Sequence, residues 1–168
     1  MRSGEDSTSG RSCETDNPRS DVHPSMDRRT FDDVTVGETL DCGTNSVTRE
    51  DVLAFGEAFD PLRMHTDADA AAESPFGGLI ASGIHTLALT QPPVVERFYA
   101  DSDLVASRGF ESVRLPAPVR PGDTLHVFLD VLDKHVADSG RGVVTTRRRA
   151  AADDERVLEM TNQTVWER

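Results

Sequence analysis

Residues Ala58–His85 read AFDPLRMHTDADAAAESPFGGLIASGIH. The stretch puts an acid, Asp60, and an imidazole, His65, in one short loop, followed by a glycine-bearing lead-in to an apolar helix. Asp60 and His65 are five residues apart with Pro61 between them, so a regular helix cannot stack one above the other. Only an irregular loop can turn both into one cavity. A carboxylate and an imidazole can exchange protons, and backbone N–H groups at a helix start hold charge that builds on oxygen. Together such groups can add water to, or remove it from, a bond next to a carbonyl.

The flanking sequence supplies the scaffold. Upstream, Phe31–Gly37 reads as an extended segment and turn, and Glu38–Val47 as a strand. Thr48 is placed as an N-cap, with Glu50 and Asp51 in the first turn where acids suit the helix dipole. Val52, Phe55 and Phe59 form an apolar stripe at helical spacing, and the helix ends at Asp60-Pro61, because a residue before proline disfavours helical dihedrals. Asp67 caps a short Ala-rich helix to about Glu73. Leu79–Gln91, with Ile80, Ile84, Leu87 and Leu89, is expected to be a buried helix that Pro92-Pro93 kinks or stops, with a second short helix over Val94–Tyr99. After Asp101 the period changes to alternation. Val105–Leu115, Thr124–Val136, Val143–Ala151 and Val157–Trp166 read as four strands, and Leu125, Val127, Leu129 and Val131 mark a core face. One buried helix followed by consecutive antiparallel strands implies an α+β fold, a sheet wrapped around a helix.

Composition bounds what the domain can do. The 168 residues suit one domain with a tail. Residues 1–30 are polar and read as a disordered tail, with Met26 an alternative start, and residues 31–168 as the domain. The tail holds six acids and five arginines, so nearly all of the net charge of −12 lies in the domain. A field of that sign discourages non-specific binding to nucleic acid or anionic membrane. Lys134 is the only lysine among 18 basic residues. High acid with scarce lysine fits a protein from a salt-loving organism, where salt screens the self-repulsion; a GC-rich genome gives a similar bias. Cys13 and Cys42 make no disulfide framework or metal-binding spacing, no run approaches the ~20 apolar residues that cross a bilayer, and no secretory leader is evident, so a cytoplasmic setting is expected.

Three ordered motifs carry a family likeness: FDDVTVGE from Phe31, the D-x4-H loop followed by FGGLIASG, and APVRPGDTL from Ala117 to Leu125. Over residues 31–168 the chain resembles the MaoC-like dehydratases, which include the (R)-specific enoyl-CoA hydratases and have a hot-dog fold. The resemblance implies acyl-CoA hydration or dehydration of the kind used in fatty-acid metabolism, with Asp60 as general base on the attacking water and His65 binding the same water. It further implies a homodimer and no metal or redox cofactor, coenzyme A entering as part of the substrate. Ser82-Gly83 stands where members usually carry His-Gly, which makes this pair the candidate thioester-binding residues, with the Gly83 N–H or a neighbour's as donor to the thioester oxygen. Where many members carry Asn-Pro inside the loop, this chain has Leu62 and Arg63. Thr86 is the nearest match to a distal hydroxyl that some hydratases use.

An anionic thioester approaching an acidic domain needs local cations, and Arg108, Arg114, Arg120 and Arg147–Arg149 are those available. On a strand, Arg147 and Arg149 share a face and Arg148 points away. His85, His126 and His135 form no ligand-like cluster. Two rival functions remain: a hot-dog thioesterase, which directs water at the thioester carbon, and a non-catalytic acyl-binding module. The expected helix lacks the acid that other thioesterase families place there, which favours hydration.

Overall fold

The computed structural model describes residues 28–168, so residues 1–27 of the tail expected at 1–30, with Cys13 and Met26, lie outside the described residues. The chain is already bound at Arg29, which bridges to Ser102 and donates from its N–H to the Asp101 carbonyl at 2.7 Å.

Five antiparallel strands form one sheet: β1 (Thr39–Ser46), β2 (Leu104–Arg114), β3 (Thr124–Val136), β4 (Gly142–Ala152) and β5 (Glu155–Trp166), in the order β1-β3-β4-β5-β2. The helices lie between β1 and β2 in sequence: α1 (Arg49–Phe59), α2 (Arg63–Thr66), α3 (Ala68–Ala72), α4 (Gly83–Leu89) and α5 (Gln91–Val94), then one π-helical turn over Val95–Tyr99. The alternation in β3 sets the core face. Leu125, Val127, Leu129 and Val131 are all buried and pack with Val144, Leu158, Met160 and Trp166 under Leu89, Val94 and Phe98. Both expected caps form. The Thr48 hydroxyl accepts from the Asp51 N–H, and Asp67 accepts from the N–H groups of Asp69 and Ala70.

The central helix departs from the sequence expectation. Leu79–Ser82 is extended, and helix begins only at Gly83. Long-range backbone bonds explain this: Ile80 N–H donates to the Met64 carbonyl, and Ala81 N–H to the Val119 carbonyl. A short apolar run suits a buried extended segment as well as a buried helix. Pro92 and Pro93 fall in the first turn of α5, where a missing N–H costs nothing, so the chain turns into a second helix there. Phe59 and Ile84, expected in the core, are 71% and 61% exposed.

The outer face of β3 and β4 carries a charge cluster. Asp130 accepts from Arg149 at 2.8 Å through both carboxylate oxygens, from Arg147 at 3.0 Å and from the Thr39 hydroxyl at 2.9 Å. These donors, Arg149 foremost, hold its carboxyl down from an ordinary 3.8 to about 2. A carboxylate depressed by folding stabilises above its unfolded value and loses that contribution as pH falls toward the folded one. Asp130→Asn is expected to cost about 2 kcal/mol at neutral pH. The gap between wild-type and variant urea midpoints should shrink from pH 4 down to pH 2. A constant gap across that window would show that charge is not what Asp130 contributes.

Candidate active site

The end of α1 and the single turn α2 build the loop that the sequence singles out. Asp60 closes α1, its N–H donating to the Gly56 carbonyl at 3.0 Å, and Pro61 prevents the helix from continuing. His65 sits in α2 and is 5% exposed, and its Nδ1 lies 2.8 Å from the Ile80 carbonyl. A carbonyl can only accept, so Nδ1 carries the proton, and a neutral His65 presents a lone pair at Nε2. That lone pair points to the Asp60 carboxylate, Nε2 and Oδ2 being 3.6 Å apart. With the ring neutral, Nε2 and Oδ2 are both acceptors and do not bond each other. They make a place for a molecule with two donors, and water is the smallest.

Ser82 fixes the same carboxylate oxygen. Its hydroxyl donates to Asp60 Oδ2 at 2.6 Å, which explains why this N-cap residue of α4 makes no capping bond to its own helix. Gly83 opens α4, so its N–H has no intrahelical acceptor. Gly83, Thr86 and His65 line one cavity of about 230 Å³ with Phe76, Leu115 and Val119. A Cβ at Gly83 would meet Leu115 Cδ1 at 2.7 Å, so a side chain there would crowd this wall. A larger cavity of about 510 Å³ opens between α1 and α4 beside Phe55, Phe59 and Leu89, and neither Asp60 nor His65 lines it. His85 stacks on Phe55 there with ring centroids 4.4 Å apart, and burial lowers its pKa.

The four residues chosen from sequence, Asp60, His65, Ser82 and Gly83, therefore meet at the start of α4. The link that sequence reading missed is the Ser82–Asp60 bond; serine at an N-cap reads first as a capping residue. Thr86 gives its hydroxyl to the Ser82 carbonyl at 3.2 Å. Arg63 faces solvent and pairs with Asp67 at 3.1 Å. The Arg147–Arg149 run is not free to meet phosphates, because Asp130 holds two of its members and Arg148 is 3% exposed. Among the described residues no group of three or more His, Cys, Asp or Glu is placed to hold a metal, and no helix is long and apolar enough to cross a membrane.

The family profile for the MaoC like domain matches residues 32–153, which takes in the whole of this site. The chain belongs to the MaoC-like domain family. The uncharacterized protein YdeM of Bacillus subtilis is 32% identical over 68% of this chain and 82% of its own length. The 3-hydroxyacyl-thioester dehydratase Z of Mycobacterium tuberculosis is 35% identical over 59% of this chain and 66% of its own length. The crystal structure of the MaoC-like dehydratase from Rhodospirillum rubrum superposes with a TM-score of 0.75 at 33% identity, covering 83% of this chain and 97% of that one. The fold of this MaoC-like domain is the hot-dog fold, its sheet wrapped about the α4–α5 segment.

In this MaoC-like site, Ser82→Ala removes one charge-assisted hydrogen bond from Asp60. A bond of that kind contributes about 1.5–3 kcal/mol, so turnover is expected to fall about ten- to a hundredfold. The change should appear in kcat with KM nearly constant, since the Ser82 hydroxyl is committed to Asp60. A rise in KM alone would place Ser82 against the substrate itself.

Proposed function

We propose that the protein is a hydro-lyase on acyl-CoA thioesters, reversibly hydrating trans-2-enoyl-CoA to (R)-3-hydroxyacyl-CoA. The observation that carries this reading is the convergence of two acceptors, Asp60 Oδ2 and His65 Nε2, on one donor-sized position. Water held there gives one O–H to each. As its oxygen bonds to C3, the C2–C3 π pair moves toward the thioester oxygen, where the Gly83 N–H receives the charge. Asp60 acts as the base on this water. The proton released and the proton delivered to C2 both pass through the Asp60–His65 pair. No step calls for a metal or a redox cofactor, and coenzyme A takes part only as the carrier half of the substrate. The resemblance to a 3-hydroxyacyl-thioester dehydratase supports the substrate class.

Arg114 and Arg120 are the cations best placed for the coenzyme A phosphates, being adjacent to Leu115 and Val119 in the cavity wall. We read the working form as a cytoplasmic homodimer. β2 is an edge strand whose residues past Leu104 are exposed, among them Val105 and Val113, and a second copy pairing there would cover these two.

The test is loss of the enoyl-thioester absorbance on mixing the protein with crotonyl-CoA in high salt. Hydration by wild type supports the proposal. Silence with release of free thiol would favour a thioesterase, and silence on short, long and branched substrates a binding module.

A further inference from the structure

We infer that the protein has a second ligand site, for a small organic carboxylate, in the cavity between β2 and the α5 segment, centred on Arg148. The strand alternation that sends Arg147 and Arg149 outward to Asp130 sends Arg148 inward, under the helices. Arg148 is 3% exposed, and its hydrogen-bond partners are neutral: Nη1 donates to the Thr90 hydroxyl at 3.2 Å and Nη2 to Gln91 Oε1 at 2.5 Å. Its Nε has no partner among the described residues, and no carboxylate is paired with it. An arginine stays charged, and a buried charge without a counter-charge is costly. In a chain with 30 acids against 18 bases, an unanswered guanidinium is a specific feature of the fold.

The surroundings fit an anion with a short apolar body. Arg148 lines a cavity of about 390 Å³ with Tyr99, Ser107 and Asn162, while Val95, Leu104 and Phe110 give it apolar walls. The Tyr99 hydroxyl, also buried, likewise lacks a partner. Thr146 occupies the Asn162 carbonyl oxygen at 2.9 Å, which leaves the Asn162 amide donors for the cavity. Guanidinium, phenol, amide and the Ser107 hydroxyl all offer N–H or O–H, and no acid lines the wall. A carboxylate supplies the acceptors and the negative charge together. This site is separate from the cavity that His65 and Gly83 line, and it stands or falls independently of the hydratase reading.

Thermal unfolding of the full chain tests it, in acetate, propionate and butyrate with ionic strength held constant by chloride. Wild type is expected to gain roughly 3–5 °C in Tm at about ten times Kd, saturably, and Arg148→Met to gain nothing. In chloride alone Arg148→Met should melt no lower than wild type, because an apolar side chain replaces a buried unpaired charge. Should that variant fail to fold, Tyr99→Phe is expected to weaken the carboxylate response about five- to tenfold. Equal responses in wild type and variants, or none, would overturn the proposal. So would dissociation of an Arg148→Met oligomer with no effect of free carboxylate, because Arg148 would then serve a protein interface.

Discussion

Asp60→Asn is expected to lower kcat for crotonyl-CoA hydration by about 10³-fold, with Tm within about 2 °C of wild type. The amide has the shape of the carboxylate, and the Ser82 hydroxyl, 2.6 Å away, can still donate to its oxygen. What changes is basicity. Ser82 Oγ and His65 Nε2 both face the one oxygen Oδ2, so the amide oxygen can take that place and keep the Ser82 bond, but an amide cannot accept a proton from the water. Substrate binding should survive, so KM stays within a few-fold while kcat collapses. His65→Gln should fall by a similar factor and the double variant little further, since the two residues act on one water. Retention of more than about a tenth of wild-type kcat by Asp60→Asn would remove this carboxylate from the chemistry.

Gly56→Val is expected to lose about 2–3 kcal/mol of stability and about a hundredfold in kcat, although Gly56 lies in α1, outside both cavities. A Cβ at this position would meet the His65 carbonyl oxygen at 2.9 Å, His65 Cβ at 3.0 Å and Thr66 Cγ2 at 3.1 Å. All three atoms belong to α2, the turn that carries the imidazole, and that turn is tied to Leu62 and Ile80 by 2.8 Å bonds. It cannot yield without moving Nε2 away from Asp60. A glycine inside a helix costs about 1 kcal/mol relative to alanine, and here clearance for the His65 turn is the reason for it. Ala58→Val, on the exposed side of the same helix, is the control and should leave kcat unchanged. If both variants behave alike, helix propensity and not contact with His65 is the operative effect.

Where local chemistry decides, the sequence was a good guide to the fold. Alternation over Thr124–Val136 matches β3 end to end, and Thr48 and Asp67 cap the helices expected of them. These signals depend only on near neighbours. The extended run at Leu79–Ser82 depends on carbonyls of Met64 and Val119, which no window around Leu79 contains. The candidate site divides in the same way. Asp60 and His65 stood out as an acid and an imidazole in one loop, whereas the Ser82–Asp60 bond joins residues 22 apart. Parity alone put Arg148 on the face opposite Arg147 and Arg149, but that this face is the inner one, and that Arg148 lacks a counter-charge there, appears only once all five strands are in place.

The position of β5 sets a timetable for synthesis. Among the described residues β2 bonds to no strand but β5, with Leu104 opposite Trp166 and Arg114 opposite Glu159, and β4 needs β5 to cover its other edge. The helices and β2 are synthesised before Glu155–Trp166 exists, and until then nothing covers the surface destined for Leu158, Met160 and Trp166. Pairings this distant in sequence slow folding, because loop closure must come before the contacts that reward it. The nascent chain thus carries an uncovered apolar surface until its last strand emerges, and that interval is when it most depends on protection from aggregation.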